Sequence, residues 1–391
     1  MRSLYGIAML GMILGVWVCC IPASAQAVSP EQAMKLEQQG HFAAASTMWR
    51  EILQRDPKAA LVYAHLGLDA ARLGRYSDAI HYYRRALAID PRMGGLKVDL
   101  ALSYFKSGRF DEAIPLLKER LHEQPGNLRL NILLGMAHYG AKEYAEAVPY
   151  LKAAAAQEPK SAAIRLPLAQ ACLWARQFEC VLTTYKQILA LNANSAEADM
   201  LAGEAYSAKG DTPAAVRQFR AAVQADPSEP DVHFGLGYLL WTERKFNAAA
   251  AEFRAELRNN PQDGQSLAYL GDCRMHLGKQ TEALQALKHA VALKSSLELV
   301  HLDLGIIAAS KGDKSAAVDQ FRIAVSIDPK NADPRWRLAR LYQSMGREKE
   351  ARAEFAQVRK MKQKSVEDLY MKMAGSAVAR AAARKKAPAH P

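Results

Sequence analysis

The chain has 391 residues, of which 50% are hydrophobic but only 8% aromatic, and Ala and Leu dominate. It is too long for one simple helical domain, and strong helix formers without alternating β-branched runs argue against a sheet protein. The formal charge of +12 is uneven, because residues 330–391 hold 16 Lys or Arg against 6 Asp or Glu, a net +10. The rest of the chain is near neutral, so the basic character belongs to its C-terminal end.

The N-terminus has the order of a secretory signal peptide. Arg2 precedes an uncharged apolar run from Leu4 to Ile21, and small residues follow at Ala23-Ser24-Ala25. This pattern predicts a signal peptide over residues 1–25, cleaved near Ala25, and an exported protein that is periplasmic or secreted. An uncleaved membrane anchor is the alternative, since the run is near the lower length limit for a membrane span.

A repeat of 34 residues follows. Its clearest mark is a series of prolines separated by 34 residues or by twice 34: Pro57, Pro91, Pro125, Pro159, Pro227, Pro261 and Pro329. With these prolines at position 32 of a repeat, ten repeats fit without insertion or deletion and begin at residues 26, 60, 94, 128, 162, 196, 230, 264, 298 and 332. Self-similarity at such a period is typical of a solenoid.

Other columns of the repeat indicate two packed helices in each. Position 8 is always Gly or Ala, position 20 is Ala in nine repeats, and position 24 is always large and apolar. Small residues at 8 and 20 let two antiparallel helices approach closely, and the large residue fills the space between them. Position 15 is Gly in seven repeats and predicts the left-handed residue that ends the first helix. The proline stops the second helix.

These columns resemble the tetratricopeptide repeat, whose pattern runs large-x-x-Leu-Gly-x-x-aromatic, then Ala-x-x-x-Phe, then Pro. The resemblance covers residues 26–365. It implies an all-α fold, an α-solenoid in which antiparallel helix pairs form a right-handed superhelix and the first helices line a concave groove. We expect residues 366–386 to form a C-terminal capping helix and residues 387–391 to be a disordered tail.

No constellation typical of catalysis is present. No nucleophile has a plausible base and orienting partner, and no histidine pair has metal-ligand spacing. The ten histidines are expected on helix surfaces. Gly278-Lys279 weakly suggests a phosphate-binding loop, but Gln280 stands where Ser or Thr is needed and Gly278 is position 15 of its repeat. We expect no catalytic, metal or cofactor site and no enzyme activity.

Three cysteines remain after residue 25. Cys172 and Cys180 lie at positions 11 and 19 of the fifth repeat, one on each helix of the same pair. An exported protein can join two such residues in a disulfide, although small buried thiols are also common. Cys273 would stay unpaired.

The resemblance implies that positions 2, 5, 9 and 12 face the groove. At positions 5, 9 and 12 several repeats carry apolar and aromatic side chains, which suggests a surface for a protein or peptide with an apolar or aromatic segment. Core packing between helices is the competing interpretation for each residue. The candidates, with Trp174 at the adjacent position 13, are Leu68, Leu102, Phe105, Met136, Tyr139, Leu173, Trp174, Phe234, Tyr238 and Trp241.

The Lys and Asn with which some family members hold a peptide carboxylate are absent from positions 5 and 9. The sequence therefore favours an exported scaffold or adaptor that binds a partner protein. The alternative is an accessory adaptor of an envelope polysaccharide export or assembly system, with the basic C-terminal end drawn to anionic envelope material. An enzyme is the remote alternative. Nucleic acid is not an expected partner, because no aromatic stacking platform accompanies the basic residues.

Overall fold

The structure is a computed structural model that describes residues 28–293 and 296–364. The predicted signal peptide (1–25), capping helix (366–386) and tail (387–391) lie outside these residues. Within them all regular structure is helical and no strand is present. None of their helices is both long and apolar enough to cross a membrane.

Residues 28–293 and 296–364 form twenty helices, α1 to α20, that follow one another with short turns between them. In chain order they are Pro30–Gln38, Phe42–Arg55, Ala60–Arg72, Tyr76–Ile89, Gly94–Lys106, Phe110–Glu123, Leu128–Gly140, Tyr144–Gln157, Ala162–Trp174, Phe178–Leu189, Ala196–Ala208, Thr212–Ala225, Val232–Thr242, Phe246–Asn259, Gly264–His276, Gln280–Ala292, Glu298–Ser310, Lys314–Ile327, Ala332–Ser344 and 348–364.

The chain forms two compact units that divide between Ala153 and Ala154. In the N-terminal unit, each helix from α1 to α6 packs on the next helix in the chain. In the C-terminal unit, each helix from α9 to α18 does the same, and the odd-numbered helices from α9 to α17 also contact one another in sequence. This confirms the predicted all-α solenoid of antiparallel helix pairs.

The small and large columns of the repeat meet between the two helices of a pair. A Cβ built on Gly67, at position 8, would lie 2.5 Å from two ring atoms of Tyr83, at position 24. The same overlap arises between Gly305 and Phe321, at 2.5 Å. At position 20 the residue is at most 2% exposed in all ten repeats. The helices therefore approach as closely as their backbones allow, and the large residue fills the remaining space.

Position 15 adopts positive φ in every repeat. Seven of the ten residues are Gly, and the others are Lys142 (φ 62°), Arg176 (φ 56°) and Arg244 (φ 61°). The left-handed conformation is required there because the next residue's N–H bonds back into the first helix, as Gln177 N–H does to the carbonyl of Cys172 at 2.8 Å. A side chain at this position strains the backbone, which glycine does not.

We expect Arg176→Gly to stabilise the protein by about 0.5–1 kcal/mol, because glycine relieves the left-handed strain. The control is Ala175→Gly, one residue earlier at φ −74°, where the added flexibility should destabilise by a similar amount. Urea unfolding followed by circular dichroism measures both. A change in the free energy of unfolding that has the same sign in both variants would contradict the assignment of strain to Arg176.

Five of the nine histidines within the described residues are exposed, as predicted, but His138 and His65 are not. His138 is 2% exposed and stacks on Tyr150 with centroids 5.5 Å apart. His65 stacks on Trp49 at 4.4 Å and is bound by Glu37 through Nδ1 at 2.9 Å. The imidazole is flat and apolar on its faces, so these residues pack against neighbouring rings while a carboxylate holds the ring nitrogen.

Candidate functional site

Contacts between successive repeats show which side chains share a surface. Gln170, at position 9 of the fifth repeat, donates to Glu197, at position 2 of the sixth, at 2.8 Å. Trp241, at position 12 of the seventh, donates from Nε1 to Asp272, at position 9 of the eighth, at 2.5 Å. Positions 2, 9 and 12 of the first helices therefore lie along one face of the C-terminal unit, which we call the first-helix face.

In the N-terminal unit the predicted groove residues are half-buried and lie on α3, α5 and α7: Leu68, Leu102, Phe105, Met136 and Tyr139. Phe105 packs edge-on against Phe110 at 5.5 Å, and Tyr139 packs likewise on Tyr144 at 5.4 Å. Position 12 thus contacts the first residue of the second helix in its own repeat, and part of each ring serves that packing.

In the C-terminal unit, Leu173 is half-buried and Trp174 is 60% exposed at the end of α9. The three other predicted residues come together on α13. Phe234 lies 6.3 Å from Tyr238, and Tyr238 lies 5.8 Å from Trp241. Their spacing of three or four residues places them on one side of the helix.

Two further rings complete a cluster that the sequence did not predict. Tyr269 on α15 lies 5.1 Å from Trp241 and 5.5 Å from Tyr238, and Phe253 on α14 lies 5.6 Å from Tyr269. Phe253 is fully buried and Tyr238 is 39% exposed. These residues, Phe234, Tyr238, Trp241, Phe253 and Tyr269, are the aromatic cluster, which is anchored in the core and open at Tyr238.

A buried carboxyl pair lies behind the aromatic cluster. Asp272 on α15 and Asp303 on α17 are each 4% exposed and share a side-chain hydrogen bond. Burial and the charge of Asp272 raise the pKa of Asp303 to about 8. Burial also raises the pKa of Asp272, against the hydrogen bond from Trp241 and the nearby His276. Two carboxyl groups this close hold one proton between them at neutral pH.

No three His, Cys, Asp or Glu side chains within residues 28–293 and 296–364 are grouped as metal ligands would be. The absence of a catalytic site and of cofactors remains an expectation from the sequence.

A disulfide joins Cys172 on α9 to Cys180 on α10, with the Cα atoms 5.8 Å apart. Cys273 is a free, buried thiol, and burial, followed by the charge of Asp272, raises its pKa to about 12. The thiolate is the reactive form of cysteine. Cys273 is therefore protected from alkylation both because it is buried and because its thiol stays protonated.

We expect the native, unreduced protein to show no iodoacetamide-reactive thiol, and one after unfolding in urea. Reduction should add two thiols and lower the free energy of unfolding by about 2 kcal/mol, since the bond closes a short loop. Mass spectrometry of the alkylated protein counts the thiols. Three reactive cysteines in the unfolded, unreduced protein would contradict the pairing.

Family models described as tetratricopeptide repeat match most of the chain. One matches residues 70–137, 104–147, 138–205 and 308–374, more than half of the sequence. A second matches 31–93 and 234–298, and a third, described as TPR repeat, matches 203–242.

Two curated relatives match over short stretches. "Cellulose synthase operon protein C" of Pseudomonas fluorescens is 30% identical over 141 residues, 34% of this chain and 11% of that protein. The "Peroxisomal targeting signal receptor" of Kluyveromyces lactis is 30% identical over 99 residues, 25% of this chain and 18% of that protein. The matched region thus spans less than a fifth of either relative.

Solved structures match at modest similarity. "MamA MSR-1 C2" is 25% identical with a TM-score of 0.39 and covers 43% of this chain and 96% of that one. The C-terminal part of a TPR repeat-containing protein from Cytophaga hutchinsonii is 15% identical with a TM-score of 0.48 and covers 60% and 96%. The family matches and the conserved geometry of positions 8, 15, 20 and 24 lead to one conclusion: the chain belongs to the tetratricopeptide repeat family.

Proposed function

We propose that this protein is an exported, non-enzymatic scaffold that binds an extended segment of a partner protein along its first helices. The aromatic cluster carries the proposal. Its inner ring, Phe253, is fixed in the core, whereas Tyr238 presents 39% of its surface to solvent. Rigid aromatic side chains held in place before binding lose little freedom when a partner packs on them, and they are enriched among residues that dominate binding energy.

The disulfide supports the exported part of the proposal, because such bonds persist in oxidising compartments. The signal-like sequence at residues 1–25 supports it as well. N-terminal sequencing of the protein from a periplasmic or culture fraction should find Gln26 as the first residue. An intact Met1 in that fraction would favour the uncleaved anchor.

Quantitative affinity capture from envelope extract tests the binding role, with residues 26–391 as bait. The Tyr139→Ala, Tyr238→Ala double variant should lose at least tenfold of each specific partner, because two anchors are removed. The matched control is Ile323→Ala on the second helix α18, where the side chain is 39% exposed. Equal capture by the variant, the control and the wild type, with unchanged helicity, would contradict the proposal.

The second candidate is an adaptor in an envelope polysaccharide system. Its support is the stretch of 141 residues shared with the protein named for a cellulose synthase operon, together with the basic residues of 330–391. Binding to acidic polysaccharide or anionic vesicles should then fall with salt and with removal of residues 366–391. Binding that is insensitive to both changes would exclude this role for the basic end.

A further inference from the structure

The first-helix face of α13 carries a stripe that begins at the acidic residue before the helix and continues over three aromatic rings. Phe234, Tyr238 and Trp241 stand four and three residues apart, so they lie on one side of the helix. Asp231 precedes them as the N-cap residue of α13, with a left-handed backbone, and occupies position 2 of its repeat, which in the sixth repeat lies on the first-helix face. Asp231 and Tyr238 are exposed, and the other two are half-buried. The stripe therefore presents an acidic group at one end and aromatic rings over the rest of its length.

A second carboxylate faces the acidic end of this stripe. Glu204 lies at position 9 of the sixth repeat and is exposed. In the preceding repeat, position 9 contacts position 2 of the next repeat, as Gln170 does with Glu197, and α11 packs on α13, so Glu204 is placed beside Asp231 at position 2 of the seventh repeat. The surrounding protein atoms and the charge of Asp231 raise the pKa of Glu204. Two turns earlier on α11, burial and the charge of Glu229 raise the pKa of Glu197. Like charges are thus held near each other without a cation between them.

No Lys, Arg or His forms a salt bridge with Glu197, Glu204, Glu229 or Asp231 within residues 28–293 and 296–364. Elsewhere in the C-terminal unit, exposed Glu179 is paired with Lys209. The second to fourth repeats of the N-terminal unit carry no carboxylate at positions 9 and 12. Position 9 is Leu68, Leu102 and Met136 in these repeats, and position 12 is Ala71, Phe105 and Tyr139. The excess negative charge therefore lies on the part of the first-helix face that α11 and α13 form.

We propose that this surface binds an extended peptide segment with a Lys or Arg near Glu204 and Asp231 and an apolar or aromatic side chain over Tyr238 and Trp241. The inference rests on the proposed scaffold function and names the partner's chemistry. A cation supplies the charge that these carboxylates lack and also interacts favourably with the faces of neighbouring aromatic rings.

The spacing of the two contacts follows from helix geometry. Asp231 and Trp241 are ten residues apart, which is about 15 Å along an α-helix. An extended chain covers that distance in about four residues, at roughly 3.3–3.6 Å per residue. Residues i and i+4 of an extended chain point to the same side. The partner motif is therefore a basic residue separated by three residues from an apolar or aromatic one, in either chain direction.

The test uses fluorescein-labelled peptides with Ser spacers, in which Lys and Trp are separated by three residues. A second peptide has norleucine in place of Lys, and a third has one spacer instead of three. Fluorescence anisotropy with residues 26–391 should give the first peptide at least tenfold tighter binding than either of the others. Raising the salt concentration should reduce this preference.

The variants are Glu204→Gln and Asp231→Asn, singly and together. Asn tolerates the left-handed backbone of Asp231, at φ 64°, and that side chain makes no capping hydrogen bond, so both changes preserve the fold. The double variant should bind the Lys and norleucine peptides equally. The control, Asp319→Asn on the exposed side of α18, should keep the Lys preference.

The outcomes separate this inference from the scaffold function. Equal binding of the Lys and norleucine peptides by the wild type, or an unchanged Lys preference in the double variant, overturns the basic motif. Binding of both peptides that falls with Tyr238→Ala would then still support the scaffold. If capture of protein partners survives the Tyr139→Ala, Tyr238→Ala double variant, the scaffold proposal itself fails, and the basic motif fails with it.

Discussion

Replacing Phe253 by Ala is expected to lower the free energy of unfolding by about 3–5 kcal/mol. The ring is fully buried and fills the space that Gly237 leaves open, with a built Cβ on that glycine 2.9 Å from the ring. It also supports two rings of the aromatic cluster, with centroids 5.9 Å from Phe234 and 5.6 Å from Tyr269. Removal leaves a cavity that the closely packed helix backbones cannot fill by collapsing.

Urea unfolding followed by circular dichroism measures the loss. Because each repeat is stabilised mainly by its neighbours, the variant should unfold either at a lower midpoint or in two separated transitions. Ile323→Ala serves as the control, since that side chain is 39% exposed and should change stability by about 0.5 kcal/mol or less. A loss below about 1 kcal/mol in a single transition would contradict the packing described for positions 8 and 24.

The sequence predicted the fold because each repeat column has a local steric meaning. Arg176 illustrates this, since it occupies a position filled by Gly in seven repeats and keeps the left-handed backbone with φ 56°. Because the spacing of the repeats is constant, each residue could be assigned to its repeat position despite such substitutions. In the same way Tyr185 hydroxyl donates to Asp199 at 2.8 Å, so a buried carboxylate replaces the usual large residue at position 4 without leaving a polar group unpaired.

The candidate site was predicted only in part, because the residue type at each repeat position does not show which side chains of adjacent repeats are in contact. Tyr238 and Trp241 were found from their groove positions. Tyr269 lies at position 6, one residue from a groove position, and joins the cluster through the contacts of α15 with α13 and α14. Asp272 and Asp303 lie at positions 9 and 6 of adjacent repeats, and their pairing depends on how α15 and α17 approach.

The protein is expected to lose stability as pH rises from 5 to 9, by about 4 kcal/mol from Asp303 alone. Burial and the charge of Asp272 raise the pKa of Asp303 to about 8 in the folded state, with Glu298 acting in the same direction and Arg337 against it. In the unfolded chain the group ionises near pH 4. Between these values the folded state binds more protons, so its stability is complete below pH 4 and declines up to about pH 8.

The variant Asp303→Asn decides the origin of this decline. Its amide can donate to Asp272 as the protonated carboxyl does, so at pH 5 its stability should match the wild type. At pH 9 the wild type must ionise both buried carboxyl groups, whereas the variant ionises only one, so the variant should be more stable by the full Asp303 contribution of about 4 kcal/mol. Part of the decline should persist, because burial and Glu37 raise the pKa of Asp69 to about 7. Parallel stability curves for Asp303→Asn and the wild type would show that Asp303 is already ionised in the folded protein.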